Sequence, residues 1–149
     1  MNDGRMSDGA GPLKLVAVDE GDLAVVSSTL QDAIVPIGDM NFRPGENQFV
    51  FAANRYRWEA GGRERVNAGV TFSNVVAVKR RGIDFRDRGR FLELLAVTCE
   101  KDGAPDGPMV ELTFAGDSAI RLETTGLLCH LEDFGEPWPT HWQPRHADD

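Results

Sequence analysis

Across residues 66–72 the chain alternates without a break, with Val66, Ala68, Val70 and Phe72 set against Asn67, Gly69 and Thr71. That is the period of a strand with one face in a core and the other in water. Similar patterns recur along the sequence. Residues 13–18 predict a first strand and residues 37–42 a short one, closed by the turn chemistry of Arg43-Pro44-Gly45-Glu46-Asn47. Phe49 and Phe51 are odd-numbered whereas Tyr56 and Trp58 are even. The apolar side therefore changes along this strand, and a bulge near Ala53-Asn54 would reconcile its halves. Ala60-Gly61-Gly62 breaks it. The Val66 strand runs on, or restarts after Asn74, through Val76 and Val78, while the charged residues 80–89 are expected to form an unpacked loop.

Residues 91–100 are apolar on both faces, Leu92, Leu94 and Ala96 on one and Leu95, Val97 and Cys99 on the other. Such a strand should be central, or covered by a helix. A turn-rich loop over 101–108 leads to a hairpin in which Val110, Leu112 and Phe114 share a face with Ile120 and Leu122. Pairing Ala115 with Ala119 keeps both sets on the core side and leaves Gly116-Asp117-Ser118 as a three-residue loop. Arg121 then opposes Thr113 and lies diagonal to Glu111, a structural role that removes it from the candidate site. Residues 126–134 fit two periods. Leu127, Cys129 and Leu131 alternate, and Leu127, Leu128, Leu131 and Phe134 make a helical stripe; the strand is preferred. The prolines and tryptophans from Glu136 onward are expected to end regular structure.

One stretch follows a different period. Leu23, Val26, Leu30, Ala33 and Ile34 fall at i, i+3, i+7, i+10 and i+11, which predicts a helix over residues 19–34. Asp19 is its N-cap, Glu20 and Asp22 sit at the positive end of the dipole, and Pro36 stops it. A single amphipathic helix is marginal alone, so its stripe needs a sheet to lie against. The fold class that follows is α+β, mainly antiparallel, with about seven strands in a curled sheet or partly open barrel packed on one N-terminal helix. The element count is similar to that of pleckstrin-homology-like barrels, although those place their long helix at the C-terminus. The organisation expected is a disordered leader over 1–11, one domain over 12–135 and an extended Pro/Trp-rich tail over 136–149.

Composition narrows the chemistry. At 149 residues with 41% hydrophobic content the chain can build a core without staples. The polar N-terminus lacks the apolar stretch of a signal peptide, and no apolar run nears the ~20 residues of a membrane span. A cytoplasmic protein without a membrane partner is expected. Cys99 and Cys129 read as buried free thiols, and His130 beside Cys129 would face the other way in a strand. No nucleotide loop, nucleophile motif or metal-ligand spacing is present, so neither cofactor nor metal is expected; His141 and His146 near Asp148 and Asp149 offer only adventitious affinity.

The net charge of −8 disfavours nucleic acid, yet residues 55–90 carry ten basic residues against four acidic ones, +6 within a chain whose remainder is −14. Within that segment Asn54, Arg55, Arg57 and Trp58 combine forked guanidinium groups with an aromatic face. With Arg63, Arg65, Arg80 and Arg81 they form the candidate binding set. A solvated rim that keeps a β protein from edge-to-edge association would use the same residues. No catalytic residue is nominated.

The stretches LKLVAVDEGDLAVVSSTLQDAI (13–34), FVFAANRYRWE (49–59), RGIDF (81–85), LELLAV (92–97), LTFAGDSAIRLE (112–123) and LEDFGEPWPT (131–140) resemble a family of short, mainly alphaproteobacterial proteins of unknown function, DUF2948. The resemblance implies a stand-alone domain and carries over no catalytic residue or cofactor. The function expected is a non-enzymatic binding or adaptor module whose basic strand face meets an acidic protein or small anion. An enzyme with a pocket between helix and sheet, and an RNA-associated protein, are the alternatives.

Overall fold

A computed structural model describes residues 11–140. The leader expected over 1–11, apart from Gly11, and residues 141–149 of the tail lie outside them. Ten antiparallel strands and one helix follow in the order β1 (Lys14–Ala17), α1 (Glu20–Thr29), β2 (Ala33–Pro36), β3 (Asn41–Arg43), β4 (Gln48–Tyr56), β5 (Glu64–Phe72), β6 (Val75–Arg81), β7 (Phe91–Ala104), β8 (Gly107–Phe114), β9 (Ser118–Thr124) and β10 (Cys129–Pro139). Short 3-10 turns occupy Ile37–Asp39 and Trp58–Ala60.

The strands form one sheet in the order β1-β10-β5-β4-β2-β7-β8-β9-β6, with β3 paired to β4. Only Ser73 and Asn74 join β5 to β6, yet five strands lie between them in that order. Laid flat at about 4.8 Å per strand, the gap would be about 29 Å, several times what two residues can span. The sheet must therefore roll until its far end returns to β5. Asn74, at φ 60°, makes the corner, and the Val75 amide donates to the Asn47 carbonyl at 2.8 Å where β6 meets the start of β4. The roll stays open, because β1 and β6 remain its two ends. Its concave side collects the core: Phe49, Phe51, Phe72, Leu94, Leu112, Phe114, Ile120 and Leu122.

Helix α1 closes one flank of this roll. The Asp19 carboxylate accepts from the Asp22 amide at 2.8 Å, the cap expected, and Leu23, Val26 and Leu30 are buried. The helix ends five residues earlier than the apolar stripe predicts. Leu30 caps it and Asp32 turns left-handed at φ 64°, a conformation aspartate tolerates, so that Ala33 and Ile34 enter β2 and Pro36 closes a strand instead of a helix. Where β2 stops, α1 takes its place beside β7, and Ser27 Oγ accepts from the Val97 amide at 2.9 Å.

That bond lies just past a break in β7. Pairing with β8 shifts register between Leu94 and Ala96, so buried positions change from Leu92 and Leu94 to Val97. The two apolar faces read in this strand are thus one core face displaced by a bulge. No such break occurs in β4, where the bulge was expected near Ala53-Asn54. Its register with β5 is unbroken from Phe49 opposite Phe72 to Tyr56 opposite Arg65. Phe49, Phe51, Ala53 and Arg55 all point inward.

Other departures have local causes. The β8–β9 hairpin pairs Phe114 with Ser118, so the loop is Ala115-Gly116-Asp117, with positive φ at Gly116 and Asp117. The register shifts by two residues in total, which preserves every face and sets Arg121 opposite Glu111 instead of Thr113. The 101–108 loop shrinks to a tight turn, because Ala104 pairs with Gly107. In the charged 80–89 segment Ile83 is buried and Phe85 packs on the core. The preferred strand at the end is present as β10, and it runs on through Pro139, past the point where the prolines were expected to end it. Its β1 neighbour ends at Lys14 opposite Glu132, so beyond that point one side of β10 is an edge, where proline costs no ladder bond.

Replacing Asp19 by Ala should remove the helix cap at a cost of ~1 kcal/mol, read as a melting temperature lower by about 3 °C with the sheet signal in circular dichroism unchanged below it.

Candidate functional site

Arg55 stands on β4 between Ala53 and Tyr56, on a position whose parity puts it inside, and its side chain has no exposed surface. A bare guanidinium there would be prohibitive. All five of its N–H groups are engaged. Nε and Nη2 donate to the two oxygens of Asp133 at 2.8 Å each, Nη1 and Nη2 donate to Glu59 at 3.0 and 2.7 Å, and Nη1 also donates to the Tyr56 carbonyl at 2.9 Å. Asp133 comes from β10, two strands away across β5, where Ala68 leaves room on the inner face. The same carboxylate accepts from the Leu13 amide at 2.9 Å, at the entrance to β1. Burial alone would lower the Arg55 pKa, but the bonds from Asp133 and Glu59 outweigh it and hold the group charged. Burial would raise the Glu59 carboxyl, and Arg55, bonded to it, keeps it below the ordinary glutamate range.

Its neighbours extend the cluster. Arg57 is buried as well and pairs with Glu64 through a short contact, while its backbone amide donates to the Glu64 carbonyl at 2.9 Å. The Trp58 ring lies 5.2 Å from that of Tyr56, and its indole nitrogen is buried with no acceptor among the described residues. The turn that follows requires Gly62, because φ is 73° and a Cβ would come within 3.2 Å of the Trp58 ring. Arg65 stacks 4.2 Å over Tyr56 and donates to the Asn54 carbonyl at 3.0 Å. Burial raises the Tyr56 hydroxyl pKa despite the opposing charge of Arg65. Arg63 is exposed nearby.

Arg80 and Arg81 belong to a different group. They lie on β6, at the far end of the sheet from β10. Arg80 donates to the Ile83 carbonyl at 2.8 Å and covers the Phe85 ring. Arg81 sits beside Ala119, and Lys79 is directly opposite Arg121 of β9. Lys79, Arg80, Arg81, Ala119 and Arg121 line a depression of about 250 Å³. Three of these four cations have an acid in reach: Lys79 with Glu123 at 2.8 Å, Arg121 with Glu111 at 3.2 Å and Arg81 with Asp117 at 3.4 Å. The eight sequence candidates are therefore divided between a group on β4, β5 and the turn joining them, in which Arg55 and Arg57 are buried and Arg63 is exposed, and a second group on β6.

Sequence reasoning missed Asp133 and Arg121. Asp133 carried a signal, since it alternates with Cys129 and Leu131 on the inner face of β10. Space between helix and sheet is filled by Leu23, Val26 and Leu30, leaving an open cleft of about 570 Å³ at the helix start, lined by Val18, Cys99, Lys101, Pro108 and Leu127 among others. Burial, with the charge of Glu20 behind it, raises the Cys99 thiol. Cys129, wholly buried, is pushed up to about 12, and His130 faces out. Among the described residues no group of three acids, histidines or cysteines could hold a metal, and no helix is long and apolar enough to cross a membrane.

Removing Asp133 alone leaves two N–H groups of a buried guanidinium without an acceptor, even with Glu59 still paired to it. Asp133→Ala should cost about 3–5 kcal/mol in urea unfolding, and Arg55→Met with Asp133→Leu should recover most of it. The depressed Glu59 pKa makes its contribution complete above the ordinary glutamate range and lost as pH falls through the lower folded value. The stability difference between the native chain and Glu59→Gln should therefore vanish in acid.

The family model described as a protein of unknown function, DUF2948, matches residues 13–146. No curated protein and no solved structure matches the chain. With nearly all of its sequence covered by that model, the chain belongs to the DUF2948 family.

Proposed function

We propose that this protein is a non-enzymatic binding module that takes an acidic segment of a partner protein on the outer face of β6 and β9. The observation that carries the reading is the placement of Lys79 directly across from Arg121, with Arg81 one step along the strand and small, buried Ala119 as the floor between them. Like charges set opposite one another across strands destabilise a sheet. Glu123 and Glu111 relieve this from the sides, but the cationic ends of both pairs stay exposed and open to further carboxylates. A partner bringing two or three carboxylates into the depression would meet charge from three directions.

Arg55 and Arg57 have no part in this role, since both are buried and already paired with acids. The depression is lined by cations and an alanine, a surface suited to an anionic partner. A pleckstrin-homology-like ancestry adds nothing, because that likeness rests on element count alone.

Binding of poly-L-glutamate to the full chain, followed by fluorescence anisotropy at low salt, tests the reading. Arg81→Glu with Arg121→Glu should weaken it about tenfold or more, and raising the salt should weaken it further as the Debye length falls to ~8 Å. Arg63→Glu, an exposed cation elsewhere, should leave it unchanged. Equal loss in the Arg63 variant, or stronger binding to polyuridylate than to polyglutamate, would overturn the proposal.

A further inference from the structure

Gly69 lies in the middle of β5, outside the left-handed region, and a Cβ built there would come no nearer than 4.0 Å to any atom beyond its chain neighbours. Neither backbone conformation nor internal packing therefore requires a glycine, although glycine weakens a strand interior. Such a position suits the close approach of something from outside the fold. On the outer face, Gly69 stands in a row with Ala52 of β4 and with Glu132 and Lys14 of β10 and β1. Ala52, Gly69, Val50, Thr71 and Phe134 line an open depression of about 410 Å³. Phe134 is 51% exposed beside it, a large ring on the strand that borders a hole.

From this juxtaposition we infer that the outer face of β4, β5 and β10 is a homodimer interface, in which Phe134 of each copy enters the other's depression over Gly69 and Ala52. Knob and hole lie on one patch, which is the condition for a two-fold, self-complementary contact. The rim agrees in charge. Lys14 and Glu132 are both exposed and adjacent at 3.9 Å, so a two-fold axis can set the lysine of one copy against the glutamate of the other. Even with β1 counted at the rim, strands at about 4.8 Å spacing make a patch below the usual ~800 Å² per partner. The dimer should accordingly form at high concentration and dissociate on dilution. This face and the cationic depression share no lining residue, so the two surfaces can be tested apart.

Sedimentation velocity of the full chain over a dilution series provides the test, with melting temperature measured alongside. The native chain should show a reversible monomer–dimer equilibrium. Gly69→Val should weaken self-association at least about tenfold, as expected for a filled central pocket, while melting at the same temperature or higher. Phe134→Ala should weaken it comparably. A chain that stays monomeric at every concentration, or a Gly69→Val variant that still dimerises, would refute the interface. A Gly69→Val variant that melts lower would show that the glycine serves the fold, and would equally end the inference.

Discussion

A guanidinium that never meets water constrains everything around it. Arg55 reaches from β4 across β5 to Asp133 of β10, and Asp133 in turn holds the Leu13 amide at the start of β1. Four consecutive strands of the sheet are thus referred to one side chain. Replacing such a pair by well-packed apolar groups is often neutral, so its contribution is not chiefly to stability. It lies in register. A slip of β4 by one residue would turn Arg55 outward and leave Asp133 buried with Leu13 as its only remaining donor among the bonds described, and that penalty separates the native pairing from its neighbours.

The second constraint is covalent. Two residues join β5 to β6 across what a flat sheet would make a wide gap, so rolling is imposed by connectivity before any side chain packs. Strand β2 flanks β7 only from Phe91 to Leu94, and beyond that point β7 has lost it as a neighbour. Helix α1 fills that flank, with Ser27 supplying the acceptor that a strand carbonyl would otherwise provide. An early end to the helix is part of the same solution. Leu30 completes the buried stripe, and Asp32 returns the chain at once to pair Ala33 with Leu94.

What could be read in the sequence was whatever depended on local period. The alternation from Val66 to Phe72, the faces of the hairpin around Gly116 and the Asp19 cap needed no knowledge of distant residues. The strand choice for β10 also came from alternation. What could not be read depended on partners far along the chain. Parity at Phe49 and Phe51 pointed inward at Arg55 all along, but an arginine is placed inside only if its acids are known, and Asp133 lies 78 residues away. Tyr56 and Trp58 then looked like core markers on the wrong face, and a bulge was inferred where none exists. The real bulge, in β7, was hidden because both faces of that strand are apolar. Pro137 and Pro139 seemed to forbid a strand until β1 was known to stop short of them.

The same reasoning bears on charge. Ten cations between residues 55 and 90 suggest one electropositive surface, yet a sum along the sequence is not a potential in space. Folding draws Arg55 and Arg57 into buried positions against Asp133, Glu59 and Glu64, which cancel their charge. Lys79 and Arg81 are carried to the opposite end of the sheet, where Arg121 joins them from outside the segment. Arg121 reads in sequence as a structural residue opposite Thr113 and diagonal to Glu111; it stands directly opposite Glu111 and bonds it at 3.2 Å. The pairing does not exclude a role in binding, because an exposed ion pair leaves the guanidinium free to exchange acceptors at little cost. Burial, more than sign, therefore divides the cations that hold the fold from those that can meet a partner.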